Sequence, residues 1–315
     1  MDNVVECRGA PRAMGLDQGR AVRPSVRDRV ARAGLSSRRR SLLSLRPHAS
    51  GPVLGRGSGR QLLRHYPHLG ERMAGLAGAT GLSLETLMQL TLDDAPLAVG
   101  RPADGDVAVA VPGALLARSL PAPAHGGQGL GDWILRCSRP EVGFASLEVT
   151  LPWLVSALAG VNERGLAVAI APSKSPAASG SEPPALLLVQ ECLQRFSDLD
   201  ASLDWCLKRP AAGPARLLLG DASGEVAIVE IGGHDRRVVR ADDRVLALGG
   251  PPDLDGRVRK RLEQEGSVSR AVLSLELAEP SSAAPPPSWL VALDVLGRRL
   301  HVARLDGRDA VELEL

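Results

Sequence analysis

The stretch GVNERGLAV occupies residues 160–168. Asn and Gly adopt the left-handed backbone conformation more readily than other residues, so Asn162 and Gly165 predict a tight turn. The apolar run over residues 166–170 that follows is typical of a buried strand. The stretch therefore predicts a turn that leads into a core strand near the middle of the chain, and we expect Asn162 to shape that turn.

Strand-like segments lie on both sides of this turn. The alternation of Val and Ala over residues 107–111 precedes Gly113, which predicts a hairpin into residues 114–117. We expect further strands at residues 133–137, 145–151, 215–219, 226–231, 238–248, 289–293 and 300–304. Apolar residues at helical spacing predict helices at residues 18–33, 61–79, from Ser83 onward, 185–195, 201–208 and 256–277.

This order of elements predicts an α+β protein in which two sheets are covered by helices. We expect one such domain over residues 1–315. Residues 1–95 would form a mainly helical, Arg-rich region, and residues 104–171 the first half of the sheets. A pair of helices is expected at residues 184–210, and the second half of the sheets, with its helices, at residues 215–315.

The composition excludes several functional classes. Only two Phe, four Trp and one Tyr occur among 315 residues, of which 44% are hydrophobic. Leu, Val and Ala must therefore fill the core, and aromatic platforms for nucleic-acid bases or sugars are not expected. No apolar run approaches the roughly 18 residues that cross a bilayer, and no leader-type segment opens the sequence. We expect a cytoplasmic protein that does not associate with membranes.

Metal and cofactor sites are not expected. The four Cys and six His show no spacing typical of a metal site or a disulfide framework. Asp104 and Asp106 are paired carboxylates that could bind a divalent ion or act as acid and base. The Gly between them favours a solvated turn instead.

Basic residues are concentrated at one end of the sequence. Residues 1–72 contain 15 Arg and five acidic residues, a charge of +10, whereas the other 23 basic and 31 acidic residues give −8. Such an excess is typical either of a solvated helical face or of a surface that binds an anionic partner. Arg38, Arg39 and Arg40 are the candidates for binding the carboxylates of an acidic peptide. Nucleic acid is not expected as the partner, because Lys is scarce and aromatic residues are not interleaved.

Several short segments, taken together in their order along the chain, resemble one protein family. They are CRGAPRAMG at residues 7–15 with QG at 18–19, YP at 66–67, MAGLAGA at 73–79, LSLE at 82–85, GVNERGLAV at 160–168 and LLLGDASGEVAIVE at 217–230. Their order and spacing resemble the penicillin acyltransferase-like group of N-terminal-nucleophile hydrolases, the acyl-CoA:isopenicillin N acyltransferase family. The resemblance implies a four-layer αββα sandwich.

The residues that catalyse the reaction in that family have no counterparts here. Active members cleave their own chain before a Cys, whose thiol then serves as nucleophile at the head of a core strand. The resemblance places that strand at residues 107–111, yet no Cys, Ser or Thr occurs between Leu92 and Arg118. The expected Asn, Asp and His positions read SLP at 119–121, AIAP at 169–172 and GG at 249–250. The resemblance therefore implies a degenerate member, for which we name no catalytic residue.

Two functions remain open. The first is a catalytically inactive relative that binds a peptide or peptide-like substrate and presents it to a tailoring enzyme in natural-product biosynthesis. Crocagin-type pathways, which start from ribosomal precursor peptides, are one example of such a setting. The second is an active amidase or N-acyltransferase with a displaced nucleophile such as Cys137 or Ser119. The missing nucleophile favours the first function, and the sequence leaves the oligomeric state open.

The candidate peptide-binding residues for the first function are the Arg cluster, the paired carboxylates and groups near the site that lacks the family's catalytic residues. Trp133 and Trp153 are included because aromatic side chains anchor ligands and are rare here, although core packing is their commoner role. The complete set is Arg38, Arg39, Arg40, Asp104, Asp106, Ser119, Trp133, Trp153 and Asn162.

Overall fold

A computed structural model describes most of the chain. The described residues are 4–35, 51–99, 107–113, 115–120, 133–171, 182–212, 214–232, 235–241, 245–249, 253–265, 289–304 and 310–315. Within these ranges the helices are α1 (Pro11–Arg32), α2 (Gly51–His65), α3 (Pro67–Thr80), α4 (Leu84–Val99), α5 (Leu187–Arg195), α6 (Leu199–Lys208) and α7 (Leu254–Glu265). None of these helices is long and apolar enough to cross a membrane.

Fourteen strands lie in the same ranges and form two sheets. They are β1 (Val4–Gly9), β2 (Val107–Val111), β3 (Leu115–Leu120), β4 (Ile134–Pro140), β5 (Ser146–Thr150), β6 (Ala159–Asn162), β7 (Ala167–Ala171), β8 (Ala215–Gly220), β9 (Val226–Gly232), β10 (Asp235–Arg240), β11 (Leu246–Gly249), β12 (Trp289–Asp294), β13 (Arg299–Arg304) and β14 (Ala310–Glu314). The eight-stranded sheet has the order β1-β4-β5-β6-β7-β8-β9-β10, and the six-stranded sheet has the order β11-β2-β3-β12-β13-β14. We call them sheet A and sheet B.

The two sheets pack face to face between two helical layers. Strands β2 and β3 of sheet B contact β7 and β8 of sheet A across the interior. Helices α1, α5 and α6 cover the other face of sheet A, whereas α7 packs on sheet B at β11. Since a sheet needs a partner on each apolar face, this arrangement satisfies both sheets and forms the predicted αββα sandwich.

The alternation in β2 divides its side chains between two cores. Ala108 and Ala110 join the main core between the sheets, whereas Val107, Val109 and Val111 pack with Leu254 and Val258 of α7. Both faces of the strand are buried, which explains why it contains only apolar residues.

Helices α2 and α3 correct the prediction of one helix at residues 61–79. The chain breaks at Tyr66, whose backbone has φ −134° and ψ 58°, because the ring of Pro67 excludes the helical conformation for the preceding residue. Pro67 then occupies the first turn of α3, where no backbone N–H is needed. The prediction of a helix at residues 18–33 also began too late, since α1 starts at Pro11.

The strand predictions were wrong in two further respects. The single strand predicted at residues 238–248 is divided, with β10 at the edge of sheet A and β11 at the edge of sheet B. Strands β1, β6 and β14 were not predicted. Strand β1 pairs in parallel with β4, and such a long-range contact has no local signature in the sequence. Both sheets contain strands from residues 104–171 and strands from residues 215–315.

Candidate functional site

The head of β2 is where the resemblance predicts a nucleophile. The Val107 N–H donates to Ser119 Oγ over 2.7 Å, and the Ser119 hydroxyl donates to the Val107 carbonyl over 3.2 Å. Ser119 is fully buried on the neighbouring strand β3. Its hydroxyl therefore completes the hydrogen bonding of the strand head, and it donates to a backbone carbonyl and not to a side-chain base that could activate it.

Arg118, one residue earlier, enters the space between the sheets. Its side chain is 1% exposed, and its Nη1 donates to the carbonyl of Ile170 on β7 of the facing sheet. Its Nε also donates to the Ser119 carbonyl over 3.3 Å. The guanidinium thus joins sheet B to sheet A through backbone acceptors, close to the head of β2.

Asn162 has all its hydrogen-bonding capacity occupied within the protein. Its Nδ2 donates to the carbonyls of Leu193 and Phe196 over 2.9 and 2.8 Å. Its Oδ1 accepts from the backbone N–H groups of Arg164 and Leu166, both at 3.0 Å. The side chain shapes the β6–β7 turn, with Gly165 at φ +82°, and ties it to the end of α5.

Of the remaining peptide-binding candidates, the described ones are the two buried tryptophans. Trp133 and Trp153 lie at the same end of the β4–β5 pair, because Ile134 of β4 is opposite Thr150 of β5. Both indole rings are at least 96% buried, and the Arg29 guanidinium lies 5.7 Å from the Trp153 ring centroid. The candidates Arg38, Arg39, Arg40, Asp104 and Asp106 lie outside the described residues.

The structure reveals a buried polar cluster on sheet A that the sequence analysis missed. Arg136 on β4 and Glu148 on β5 are both completely buried, and Arg136 Nε lies 2.5 Å from Glu148 Oε2. Arg136 also donates to the Gln18 side chain over 2.9 Å and to the Gln190 side chain over 2.7 Å. Helices α1 and α5, which cover this sheet, are thereby connected through one guanidinium.

Arg72 of α3 brings a second guanidinium to this cluster. It is 1% exposed, and its Nη2 donates to Ser138 Oγ over 3.0 Å. Ser138 in turn donates to Glu148 over 3.1 Å, and Ser146 donates to the other carboxylate oxygen over 2.6 Å. Among the described residues, Nε and Nη1 of Arg72 have no oxygen or nitrogen partner, and the neighbouring Cys7 thiol is only a weak acceptor.

The charges of the cluster shift the pKa values of its members. Burial by itself would raise the pKa of Glu148, but the charges of Arg136 and Arg72, with hydrogen bonds from Ser146 and Gln190, hold it below its ordinary value. Burial and the charge of Arg136 lower the pKa of Arg72 to about 10, so its guanidinium stays protonated at neutral pH. The cluster thus contains two positive charges and one negative charge.

Cysteines near this cluster have the properties of core residues. Burial raises the pKa of Cys7 despite the nearby Arg72, and burial together with the charge of Glu6 raises the pKa of Cys137. Both thiols are therefore protonated at neutral pH, and a protonated thiol is a poor nucleophile. Within the described ranges, no group of three or more His, Cys, Asp and Glu side chains is arranged to hold a metal ion.

A cavity of about 470 Å³ lies beside the cluster, where α1 and α3 meet the β4–β5 turn. The turn is fixed at both sides, because the Glu141 N–H donates to Gly9 and the Phe144 N–H donates to Gln194, each over 3.0 Å. The lining residues are Pro11, Met14, His68, Leu69, Arg72, Pro140, Glu141, Val142, Gly143, Phe144, Gln194 and Arg195.

No family model and no curated protein matches the sequence. Among solved structures, the chain is similar to penicillin V acylase from Agrobacterium tumefaciens, with 16% identity, a TM-score of 0.45, and 67% of this chain and 86% of that chain covered. It is also similar to a variant of the conjugated bile acid hydrolase from Clostridium perfringens, with 11% identity, a TM-score of 0.49, and coverage of 66% and 92%. The Caenorhabditis elegans ortholog of N-acylethanolamine-hydrolyzing acid amidase shows 11% identity, a TM-score of 0.44, and coverage of 66% and 99%.

Proposed function

We propose that this protein binds a peptide or peptide-like ligand without cleaving it and presents the ligand to a partner enzyme. The head of β2 carries the proposal. The strand reads VAVAV, and both backbone hydrogen-bonding groups of Val107 are satisfied by the Ser119 hydroxyl. A nucleophile in this fold would need a free thiol or hydroxyl at that point and a base beside it.

The two displaced nucleophiles that the sequence allowed are poorly suited to catalysis. Ser119 is engaged with backbone on both its donor and its acceptor side. The Cys137 thiol is 4% exposed, and its pKa is raised. The αββα sandwich is present, but the head of β2 has no nucleophile, and this combination supports a binding role. The proposed partners are an acidic precursor peptide and a tailoring enzyme. A cytoplasmic location, and a pathway of the crocagin type, belong to the same proposal.

The first expected result concerns self-processing. Purified protein should give a single chain of 33.0 kDa by intact mass spectrometry, because the strand that would supply the nucleophile has none. Acyl p-nitroanilides should release no p-nitroaniline above the buffer rate. The matched variants are Cys137→Ala and Ser119→Ala. Two chains, or hydrolysis that disappears in either variant, would establish the alternative of an active amidase.

The second expected result concerns the Arg-rich region. Replacing Arg38, Arg39 and Arg40 together by Glu should weaken binding of an acidic fluorescent peptide at least about 10-fold, because three charge-assisted contacts become repulsive. Fluorescence anisotropy at fixed ionic strength measures the affinity. The matched control replaces the exposed residues Arg20, Arg23 and Arg64 by Glu, which makes the same change in net charge. Equal affinities of the two triple variants would remove the Arg38–Arg40 cluster from the proposal.

A further inference from the structure

The cavity beside the buried cluster has an excess of positive charge on one wall. Arg72 lines the cavity, is 1% exposed, and has two guanidinium nitrogens without an oxygen or nitrogen partner among the described residues, the neighbouring Cys7 thiol being only a weak acceptor. The carboxylate of Glu148 already faces Arg136 at 2.5 Å and accepts from Ser138, Ser146 and Gln190. A buried cation without its own anion is costly, so the free energy of the protein would fall if an anion joined Arg72.

Other acidic groups near the cavity do not supply that anion. Glu191 is completely buried, but its Oε1 lies 2.6 Å from His68 Nε2 and its Oε2 accepts from the Trp205 indole over 3.1 Å. Glu141 also lines the cavity, but it stands on the exposed β4–β5 turn, so its carboxylate faces solvent and is not buried with Arg72. The Cys7 thiol is protonated and adds no negative charge.

The helix α1 adds to the positive potential. It begins at Pro11, which lines the cavity, and its N-cap residue Ala10 has no side chain that could accept from the first turn. The N-terminus of a 22-residue helix carries a partial positive charge that favours an anion nearby.

Much of the remaining lining is apolar, beside the polar side chains of Gln194 and Arg195. Met14, Leu69, Val142 and Phe144 supply hydrocarbon and aromatic surface, with Pro residues at two positions. Val142, which is 88% exposed, stands on the turn that borders the cavity. The volume of about 470 Å³ falls in the range of small-molecule sites.

We propose that this cavity binds an organic carboxylate with an apolar body, whose carboxylate pairs with Arg72 and whose body packs against Met14, Leu69 and Phe144. The ligand is a free medium-chain acid or the C-terminal carboxylate of a peptide with apolar side chains. This inference does not depend on the proposed function, because the site lies on the helical side of sheet A, away from the head of β2.

Calorimetric titration of the full-length protein tests the proposal with two pairs of probes. Octanoate is compared with octanamide, and the tripeptide N-acetyl-Ala-Leu-Phe is compared with its C-terminal amide. We expect at least one acid to bind about 10-fold or more tightly than its amide, because only the acid forms a charge-assisted pair. Preference for octanoate identifies a free acid as the ligand class, and preference for the tripeptide identifies a peptide C-terminus. Equal binding within both pairs, or binding of neither acid, would overturn the proposal.

Variants assign the preference to Arg72. In Arg72→Met the ratio of acid to amide affinity should fall several-fold, whereas Arg60→Met, which removes an exposed Arg on α2, should keep the wild-type ratio. The melting temperature of Arg72→Met should not fall below that of the wild type, because the variant removes one of two buried cations that share the single carboxylate of Glu148. Arg72→Lys keeps the charge and should retain a preference for the acid. A preference that persists undiminished in Arg72→Met would contradict the assignment, and the wild-type titrations decide the proposal even if that variant fails to fold.

Discussion

Glu148→Gln is expected to lower the free energy of unfolding by about 3 to 5 kcal/mol. The carboxylate is completely buried, and it faces Arg136 directly and Arg72 through Ser138. Gln preserves the shape but removes the only charge that opposes the two guanidinium groups in this cluster. Two buried cations would then remain without an anion, which costs far more than a lost surface pair. Urea denaturation followed by circular dichroism measures the change.

The control for this prediction is an exposed ion pair. Glu225 lies 3.1 Å from Arg240 with a side chain that is 59% exposed, so Glu225→Gln should change the free energy of unfolding by less than about 1 kcal/mol.

The pH dependence of the free energy of unfolding gives a second check. The folded-state pKa of Glu148 is depressed, so its contribution is complete above the ordinary value of 4.5 and is lost as the pH falls through the lower folded value. The difference between wild type and Glu148→Gln should therefore shrink in acid, and a small difference at pH 7 would contradict the prediction.

Gly75→Ala should destabilise the protein by about 3 kcal/mol, although Ala is the better helix former. Helices α1 and α3 cross at two glycines. A Cβ on Gly75 would lie 2.1 Å from the Arg12 carbonyl oxygen, and a Cβ on Gly15 would lie 1.9 Å from the Arg72 carbonyl oxygen. Backbone atoms cannot rotate away as a side chain can, so the two helices must separate. Arg12 belongs to the first turn of α1 and Arg72 to the buried cluster, so this separation would also disturb the cavity.

Gly78 offers a matched control within the same helix. A Cβ there meets no atom within 4 Å, so Gly78→Ala should raise the free energy of unfolding by about 0.5 to 1 kcal/mol through helix propensity alone. The melting temperatures of the two variants should therefore move in opposite directions. If Gly75→Ala were as stable as the wild type, the close crossing of α1 and α3 would be wrong.

Local signals in the sequence predicted most individual elements. Ser83 does begin a helix, since its Oγ accepts from the Thr86 N–H over 3.1 Å, and Gly113 does turn the β2–β3 hairpin with φ +68°. These features depend on the conformational preferences of one or two residues, which act over a single turn of chain. The break at Pro67 carried an equally local signal, and the prediction of one continuous helix disregarded it.

The candidate site was much less predictable. Arg136 and Glu148 stand within apolar segments, where a charged residue is a signal that could have been noticed, but nothing local indicates that they face each other. Gln18 and Gln190 approach Arg136 from positions 118 and 54 residues away. Contacts of this separation follow from the order of strands and the docking of helices, which propensity and periodicity do not encode.

The sequence by itself determined that the strand at residues 107–111 has no nucleophile, because the chemistry of a side chain is fixed by its identity and no fold can add a missing thiol. It also determined the α+β class, because apolar spacing reports local structure directly. Only the tertiary structure decided which of the glycines in α3 must remain glycine, and that Arg72, which shares the single carboxylate of Glu148 with Arg136, lines a cavity. Both depend on which atoms of distant segments the packing brings together. Two glycines of the same helix can therefore differ in whether a side chain fits in their place.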